Sequence, residues 1–343
     1  MPEDVGVDLD RLRTWMNSVG LGSGPLTDVE PLAGGTQNIL VRFARAGRAY
    51  VLRHPPAHKR ANSDETMRRE ARVLAALAGT DVPHPGLIAA CPDVAVLGSA
   101  FFLMEPIDGF NPSLGFPEPY ASDPTLQWQM GLSMADSIAA LGRLDHVALG
   151  LSDFGRPDGW LERQVERWRS HLASYGAIEG YAGPDLPGVE DVAAWLDARR
   201  PIAWSPGLIH GDFHLANVLA HRTDGRIAAV VDWELATIGD PLLDLGHLLC
   251  TWPVDDGGVI PAIGSVGTSG LPTRAELVER YADGSTRDLG HADWYEVLAC
   301  YRLGIILEGT NARAQAGLAP RDIGDALHAA AFALFERAGG LMA

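Results

Sequence analysis

The sequence predicts an α+β fold of two lobes, a small antiparallel-sheet lobe followed by a larger, mainly helical lobe. Short strand-like runs separated by turn residues occupy the first third of the chain. From about residue 124 onward, apolar residues recur mainly at helical spacing. A length of 343 residues, 47% hydrophobic and 21% charged, is enough for two substantial cores.

The elements follow in order. A helical segment is expected over about 8–20, and 29–32, 38–43 and 49–53 read as three antiparallel strands. The first turn is Ala33-Gly34-Gly35-Thr36-Gln37. Adjacent glycines let a backbone approach phosphate oxygens and aim N–H groups at them, although an ordinary hairpin turn explains the same residues. Residues 64–78 read as a helix with Met67, Ala71, Leu74 and Ala78 along its apolar stripe and Gly79 as its stop. Glu70 falls on that stripe, with Arg68, Arg69 and Arg72 toward the other side. A carboxylate on a buried face needs a cation or hydrogen-bond donors, because an isolated buried charge is costly. Phe101-Phe102-Leu103-Met104 reads as a further strand ending in a turn.

Helices are expected over 124–144, with Leu126, Met130, Ser133, Ser137, Leu141 and Leu144 in register, and over 159–175, 189–200, 274–283, 291–308 and 320–337. The fifth of these carries Trp294, Val297, Leu298, Tyr301 and Ile305 on one side. Residues 255–273, rich in glycine, read as a mobile loop or as an exposed connection.

The most informative segment is His210-Gly211-Asp212-Phe213-His214-Leu215-Ala216-Asn217, followed by Asp232-Trp233-Glu234. It has the spacing H-x-D-x-x-x-x-N with a second aspartate 20 residues beyond the first. Phosphoryl transfer asks a protein mainly to hold phosphate, Mg²⁺ and acceptor hydroxyl in line. Asp212, on a loop, would orient the hydroxyl and take its proton. Asn217 and Asp232 would supply oxygen ligands to Mg²⁺, a hard cation. Strands at 218–220 and 227–231 around Thr223-Asp224-Gly225 would bring Asn217 and Asp232 within reach of one ion. Taken singly, each aspartate reads equally as a loop cap and His210 as a core histidine; the combined spacing favours the chemistry. His214 and Glu234 sit beside these residues and read either as touching metal or substrate or as loop or edge residues. Asp244 opens an apolar run and is expected to cap the helix carrying Leu248 and Leu249.

Residues 207–248, with His210-Gly211-Asp212 and Val231-Asp232-Trp233-Glu234, resemble the aminoglycoside phosphotransferase and choline kinase branch of the kinase-like fold. A protein kinase would show D-F-G at 232 and A-P-E beyond it. Residues 149–164 and 237–246 resemble the subgroup fused to acyl-CoA dehydrogenases, and the likeness extends from about residue 32 to the C-terminus.

The resemblance implies a nucleotide-binding lobe over 1–105, a hinge at 106–110, and a catalytic and substrate-binding lobe over 111–343. It implies that the γ-phosphate of ATP or GTP passes, with Mg²⁺, to a hydroxyl of a small molecule, with Asp212 as base and Asn217 and Asp232 as metal ligands. Gly34, Gly35 and Thr36 would cover the phosphates. The carbonyl of Glu105 and the N–H of Ile107 would read the base of the nucleotide, with Pro106 facing away. In the family a lysine on the third strand grips the phosphates and pairs with the helix glutamate, here Glu70. This chain has Arg53 there, as the dehydrogenase-fused subgroup does, and its nearest lysine, Lys59, lies beyond Pro55-Pro56. Arginine is longer and planar, so the exchange is not conservative and leaves a second reading, a nucleotide-binding pseudokinase with a regulatory role. Asp244 would brace the catalytic loop through backbone N–H groups.

The net charge of −17, from 27 basic and 44 acidic residues, argues against nucleic acid as a partner. It suits a cationic acceptor or simply solubility. Arg156, Arg163, Arg167 and Arg169 suit an anionic acceptor, but Glu162 and Glu166 are interleaved and fit ion pairs on a solvated helix. Trp160, Trp168 and Tyr175 would line a pocket or belong to the core. The sequence does not choose between acceptor charges. It has no apolar run of about 18 residues and an acidic start, which points away from a membrane span or secretory signal. Cys91, Cys250 and Cys300 are scattered, as expected of a cytoplasmic protein.

Overall fold

A computed structural model of the chain describes residues 5–32, 38–56, 59, 61–253 and 270–343. The expected glycine turn, with Gly34, Gly35 and Thr36, and residues 255–269 of the expected loop lie outside the described residues. The chain divides into two compact units, Met1–Asp108 with Ala228–Glu234, and Gly109–Ile227 with Leu235–Ala343. The segment carrying Asp232 therefore belongs to the first unit, although it follows the loop of Asp212 in sequence.

The first unit contains α1 (Leu9–Ser18), β1 (Thr27–Pro31), β2 (Ile39–Arg45), β3 (Arg48–His54), α2 (Ser63–Leu77), β4 (Leu87–Cys91) and β5 (Phe101–Met104). The five strands form one antiparallel sheet in the order β1-β2-β3-β5-β4. β2 and β3 stay in register from Ile39 opposite His54 to Arg45 opposite Arg48, closed by Ala46-Gly47. Their alternation sends Val41, Phe43, Tyr50 and Leu52 into a core with Phe101 and Leu103, covered by Leu12 and Met16 of α1. Asp8 starts α1 by accepting the N–H groups of Asp10 and Arg11. In α2, Met67, Ala71, Leu74 and Leu77 are buried, and Glu70 with them.

The second unit contains α3 (Pro124–Gly142), α4 (Gln164–Ser174), α5 (Val189–Ala198), β6 (Gly207–Ile209), β7 (Val218–Ala220), β9 (Thr237–Gly239), α6 (Leu242–Thr251), α7 (Arg274–Gly284), α8 (Ala292–Gln315) and α9 (Arg321–Met342). Strand β8 (Ile227–Val230) spans the boundary between the two units. The expected helices are present, and α8 continues past its expected end at 308. It packs on α4, α5, α6 and α9, which explains why it is buried on more than one side. Asp123 caps α3 with Pro124 in its first turn, and Thr273 and Glu276 form a reciprocal capping box on α7.

Two features correct the sequence reading. Strand β9 pairs antiparallel with β6, Gly207 opposite Gly239 and Ile209 opposite Thr237, where no strand was expected. Asp244 is not the cap of α6: the helix begins at Leu242, whose N–H donates to Asp240 Oδ1, and Asp244 lies inside the first turn. Pro241 fixes that start one turn earlier than the apolar run suggests.

Helix α6 lies close against α8 through Gly246, where an added Cβ would run into the Tyr295 carbonyl. Gly246→Ala is expected to cost about 1–3 kcal/mol through overpacking. Urea unfolding measures it, and an unchanged midpoint would show that the two helices are not in close contact there.

Candidate active site

In the second unit, β6 runs into the loop of Asp212, and the loop is held by a carboxylate from α6. Asp244, buried, accepts the N–H of His210 at 2.7 Å on Oδ2 and that of Gly211 at 2.8 Å on Oδ1. Gly211 has φ +83° and faces the Leu235 carbonyl, so a side chain would be both strained and crowded there. The bracing inferred for Asp244 is thus present as geometry.

Asp212 comes next, its side chain 30% exposed. The Asn217 amide nitrogen donates to its carbonyl at 2.8 Å and to Oδ2 at 3.1 Å. His214 Nε2 lies 3.5 Å from Oδ2, and His247 Nε2 lies 3.2 Å from Oδ1. His214 Nδ1 accepts the N–H of Ala216, which leaves its proton on Nε2, facing Asp212. Burial lowers His247 to about 4, against the pull of Asp212, so its ring is neutral at pH 7. Burial alone would raise the Asp212 carboxyl, but the His214 and His247 rings beside it outweigh burial and hold the group well below the usual carboxylate range. Asp212 is therefore an ionised carboxylate that accepts the Asn217 amide on Oδ2 and has His247 Nε2 beside Oδ1. Asn217 spends its nitrogen on Asp212, which turns Oδ1 into the atom it can offer a hard cation.

In the first unit, Arg53 is 7% exposed and joins two carboxylates. Its Nε lies 2.6 Å from Glu70 Oε2, and its Nη2 lies 2.7 Å from Glu70 Oε1 and 2.6 Å from Asp232 Oδ1. Glu70, 2% exposed, thus has the cationic partner that its place on the α2 stripe requires. Burial raises the Glu70 carboxyl to about 7 while Arg53 opposes the rise. Burial also works against charge on Arg53, but Glu70 and Asp232 more than compensate and raise its pKa. Asp232 takes a left-handed backbone, φ 66°, and carboxylate oxygens of Glu70, Asp232 and Glu234 lie within 4.8 Å of one another. Lys59 does not stand in for Arg53, since its Nζ binds Asp64 at 2.7 Å and the Gly98 carbonyl at 3.0 Å. The Glu105 N–H donates to Gly86 at 2.8 Å and its side chain pairs with Arg48 at 3.1 Å. Ile107 is half-buried just beyond.

Sequence reasoning missed His247 and Arg302. His247 lies three residues after Asp244, on the same face of α6, so the spacing that brings Asp244 to the loop also brings the imidazole. Arg302 sits four residues after Leu298 and three before Ile305, a cation on an apolar stripe, the pattern that singled out Glu70. Of the arginines on or before α4, Arg163 donates to the carbonyls of Arg156 and Asp158, and Arg169 pairs with Glu166 and Glu190. Trp160 and Trp168 are buried, and the Tyr175 hydroxyl donates to the Ile305 carbonyl. No helix among the described residues is long and apolar enough to cross a membrane.

Arg53→Met would leave Glu70 buried without its cation, and the expected loss is about 3–5 kcal/mol of unfolding free energy. Adding Glu70→Leu should restore most of it, and a single variant as stable as the parent in chemical denaturation would contradict the pairing.

The family model described as the phosphotransferase enzyme family matches residues 28–296. Among curated proteins, acyl-CoA dehydrogenase family member 11 of Gallus gallus is 30% identical over 83% of this chain and 36% of its own length. Family member 10 of Mus musculus is 28% identical over 83% of this chain and 26% of its own length. The chain thus spans roughly a third or less of these relatives. A solved structure from Ralstonia eutropha JMP134, assigned as an aminoglycoside phosphotransferase, is 29% identical and covers 97% of this chain and 99% of that one, with a TM-score of 0.79. The GDP complex of aminoglycoside 2'-phosphotransferase-IIIa, 14% identical over 97% of this chain and 99% of its own with a TM-score of 0.61, shares the fold. With its antiparallel-sheet unit and its mainly helical unit, the chain has the kinase-like fold, and it belongs to the phosphotransferase enzyme family.

Proposed function

We propose that the protein moves the γ-phosphate of ATP or GTP to a hydroxyl of a small molecule, with Asp212 as the catalytic base. The observation that carries this reading is the Asp212 carboxylate, ionised and held by Asn217, His214 and His247 on a loop braced by Asp244. The acceptor oxygen forms a bond to the γ-phosphorus, the bond from that phosphorus to the β–γ bridging oxygen breaks, and the nucleoside diphosphate leaves. The hydroxyl proton passes to Asp212. A carboxylate held this far down is a weak base, so its first task is to orient the hydroxyl and its second is to take the proton late, as the oxygen loses electron density to phosphorus.

Asn217 through Oδ1 and Asp232 through its carboxylate are the oxygen ligands suited to Mg²⁺, and their sequence spacing supports the assignment. When bound, Mg²⁺ would neutralise phosphate charge. Arg53 would face the phosphates, with Gly34, Gly35 and Thr36 supplying the covering turn, and Glu105 and Ile107 holding the nucleotide base. Boundaries at 105, 106–110 and 111 for nucleotide lobe, hinge and catalytic lobe belong to the same proposal. The GDP named for one structural neighbour supports a nucleotide donor. Three buried free cysteines suit a cytoplasmic setting, and the charge of −17 suits small-molecule partners rather than nucleic acid.

A pseudokinase is the second reading, favoured by the 2.6 Å pair between Arg53 and Asp232, which engages one oxygen of a proposed metal ligand. Asp212→Asn separates the two. It should cut transfer by about 10²–10⁴-fold and leave Mg²⁺–nucleotide binding measurable, in assays over hydroxylated amines, sugars and hydroxyacyl thioesters. Equal turnover in that variant would remove Asp212 from the role of base.

A further inference from the structure

Arg302 on α8 is a buried cation that no described side chain neutralises by direct contact. It is 6% exposed, its Nη1 is buried with no hydrogen-bond partner, and its guanidinium makes no ion pair among the described residues. Its guanidinium carbon lies 5.4 Å from the centre of the Trp168 ring, and that of Arg167 lies 5.1 Å from the same ring. A cation–π contact returns about 0.5–2 kcal/mol, whereas the effective penalty for burying an ion is several kcal/mol. Arg167 adds like charge to Arg302, and Arg163 adds it to Arg167. The charges of Asp212 and Asp244 reach Arg302 without forming an ion pair with it.

Arg302 Nη1 is not the only unsatisfied donor at Trp168. The indole N–H is itself buried without a partner. Trp168 also forms a wall of an open cavity of about 370 Å³, whose other lining residues are Arg167, Ser170, His171 and Ser174. One aromatic ring therefore connects a cavity lined by an arginine to a buried arginine whose electrostatic neighbour is the proposed base. In a chain of net charge −17, this concentration of uncompensated positive charge is not a general surface property. An anion would satisfy the guanidiniums and relieve their mutual repulsion at once.

We infer that Arg302 and Arg167, gathered on Trp168, bind an anionic group of the acceptor, so that the hydroxyl presented to Asp212 belongs to a molecule carrying a carboxylate or a phosphate monoester. This rests on the phosphotransfer reading for the word acceptor; the anion site itself does not.

Calorimetric titration of the full chain with inorganic phosphate and with succinate, in saturating Mg²⁺–ADP, tests it. At least one anion should bind the parent saturably and lose at least tenfold in affinity in Arg302→Gln and in Arg167→Gln, with ADP affinity unchanged. Phosphate binding alone would point to a phosphate-bearing acceptor and succinate binding alone to a carboxylate. Arg167 is exposed, so its variant carries the test if Arg302→Gln does not fold. Absence of saturable binding by either anion, or parent-like affinity in the variants, would overturn the inference. Intact anion binding without ADP binding or transfer would instead contradict the phosphotransfer reading.

Discussion

The buried carboxylate of Asp244 is the constraint from which the catalytic loop takes its shape. Two backbone N–H groups, of His210 and Gly211, end on its two oxygens, so the loop leaves β6 in one direction and delivers Asp212 at a fixed place. The same helix, one turn on, presents His247 to Asp212. Helix α6 thus bears on both the position and the charge of Asp212, and its own seat is fixed by Asp240 at its start and by the close approach of Gly246 to α8. The two N–H donors offset part of the cost of burying this carboxylate, although burial still raises its pKa.

The two units treat buried arginine in opposite ways. In the first, Arg53 is surrounded by carboxylates, and its charge is satisfied within the protein by Glu70 and Asp232. In the second, Arg302 has an aromatic ring against it and feels the charges of Asp212, Asp244 and Arg167 without an ion pair to either carboxylate. Fully paired cations stabilise or cost little, and unpaired ones cost stability that a ligand restores on binding. The contrast separates an arginine whose first duty is internal organisation from one whose electrostatics favour an anion from outside.

Much of this was legible in the sequence. Glu70 stood on an apolar stripe of α2, where it needed a cation or hydrogen-bond donors; Arg53 meets that need. The strands 38–43 and 49–53 were readable as short apolar runs, and the structure carries both one or two residues past their expected ends. Strand β4 was not readable, because Leu87-Ile88-Ala89-Ala90-Cys91 has weak strand propensity, and β9 is three residues whose pairing with β6 is fixed by tertiary contacts. Asp244 was misread as a cap because the apolar run begins after it, whereas the helix starts at Leu242 behind Pro241. His247 and Arg302 act through neighbours distant in sequence, and only their helical registers, relative to Asp244 and to the stripe of α8, pointed to them.

The central claim is that a hydroxyl is phosphorylated at Asp212. Phosphorus NMR of the full chain incubated with Mg²⁺–ATP or Mg²⁺–GTP and a panel of hydroxylated carboxylates, phosphates, amines and sugars tests it most directly. Phosphotransfer predicts a new phosphate-ester resonance that grows in step with the nucleoside diphosphate and depends on one class of acceptor. Nucleotide that stays intact, or that yields only inorganic phosphate whatever the acceptor, would contradict it.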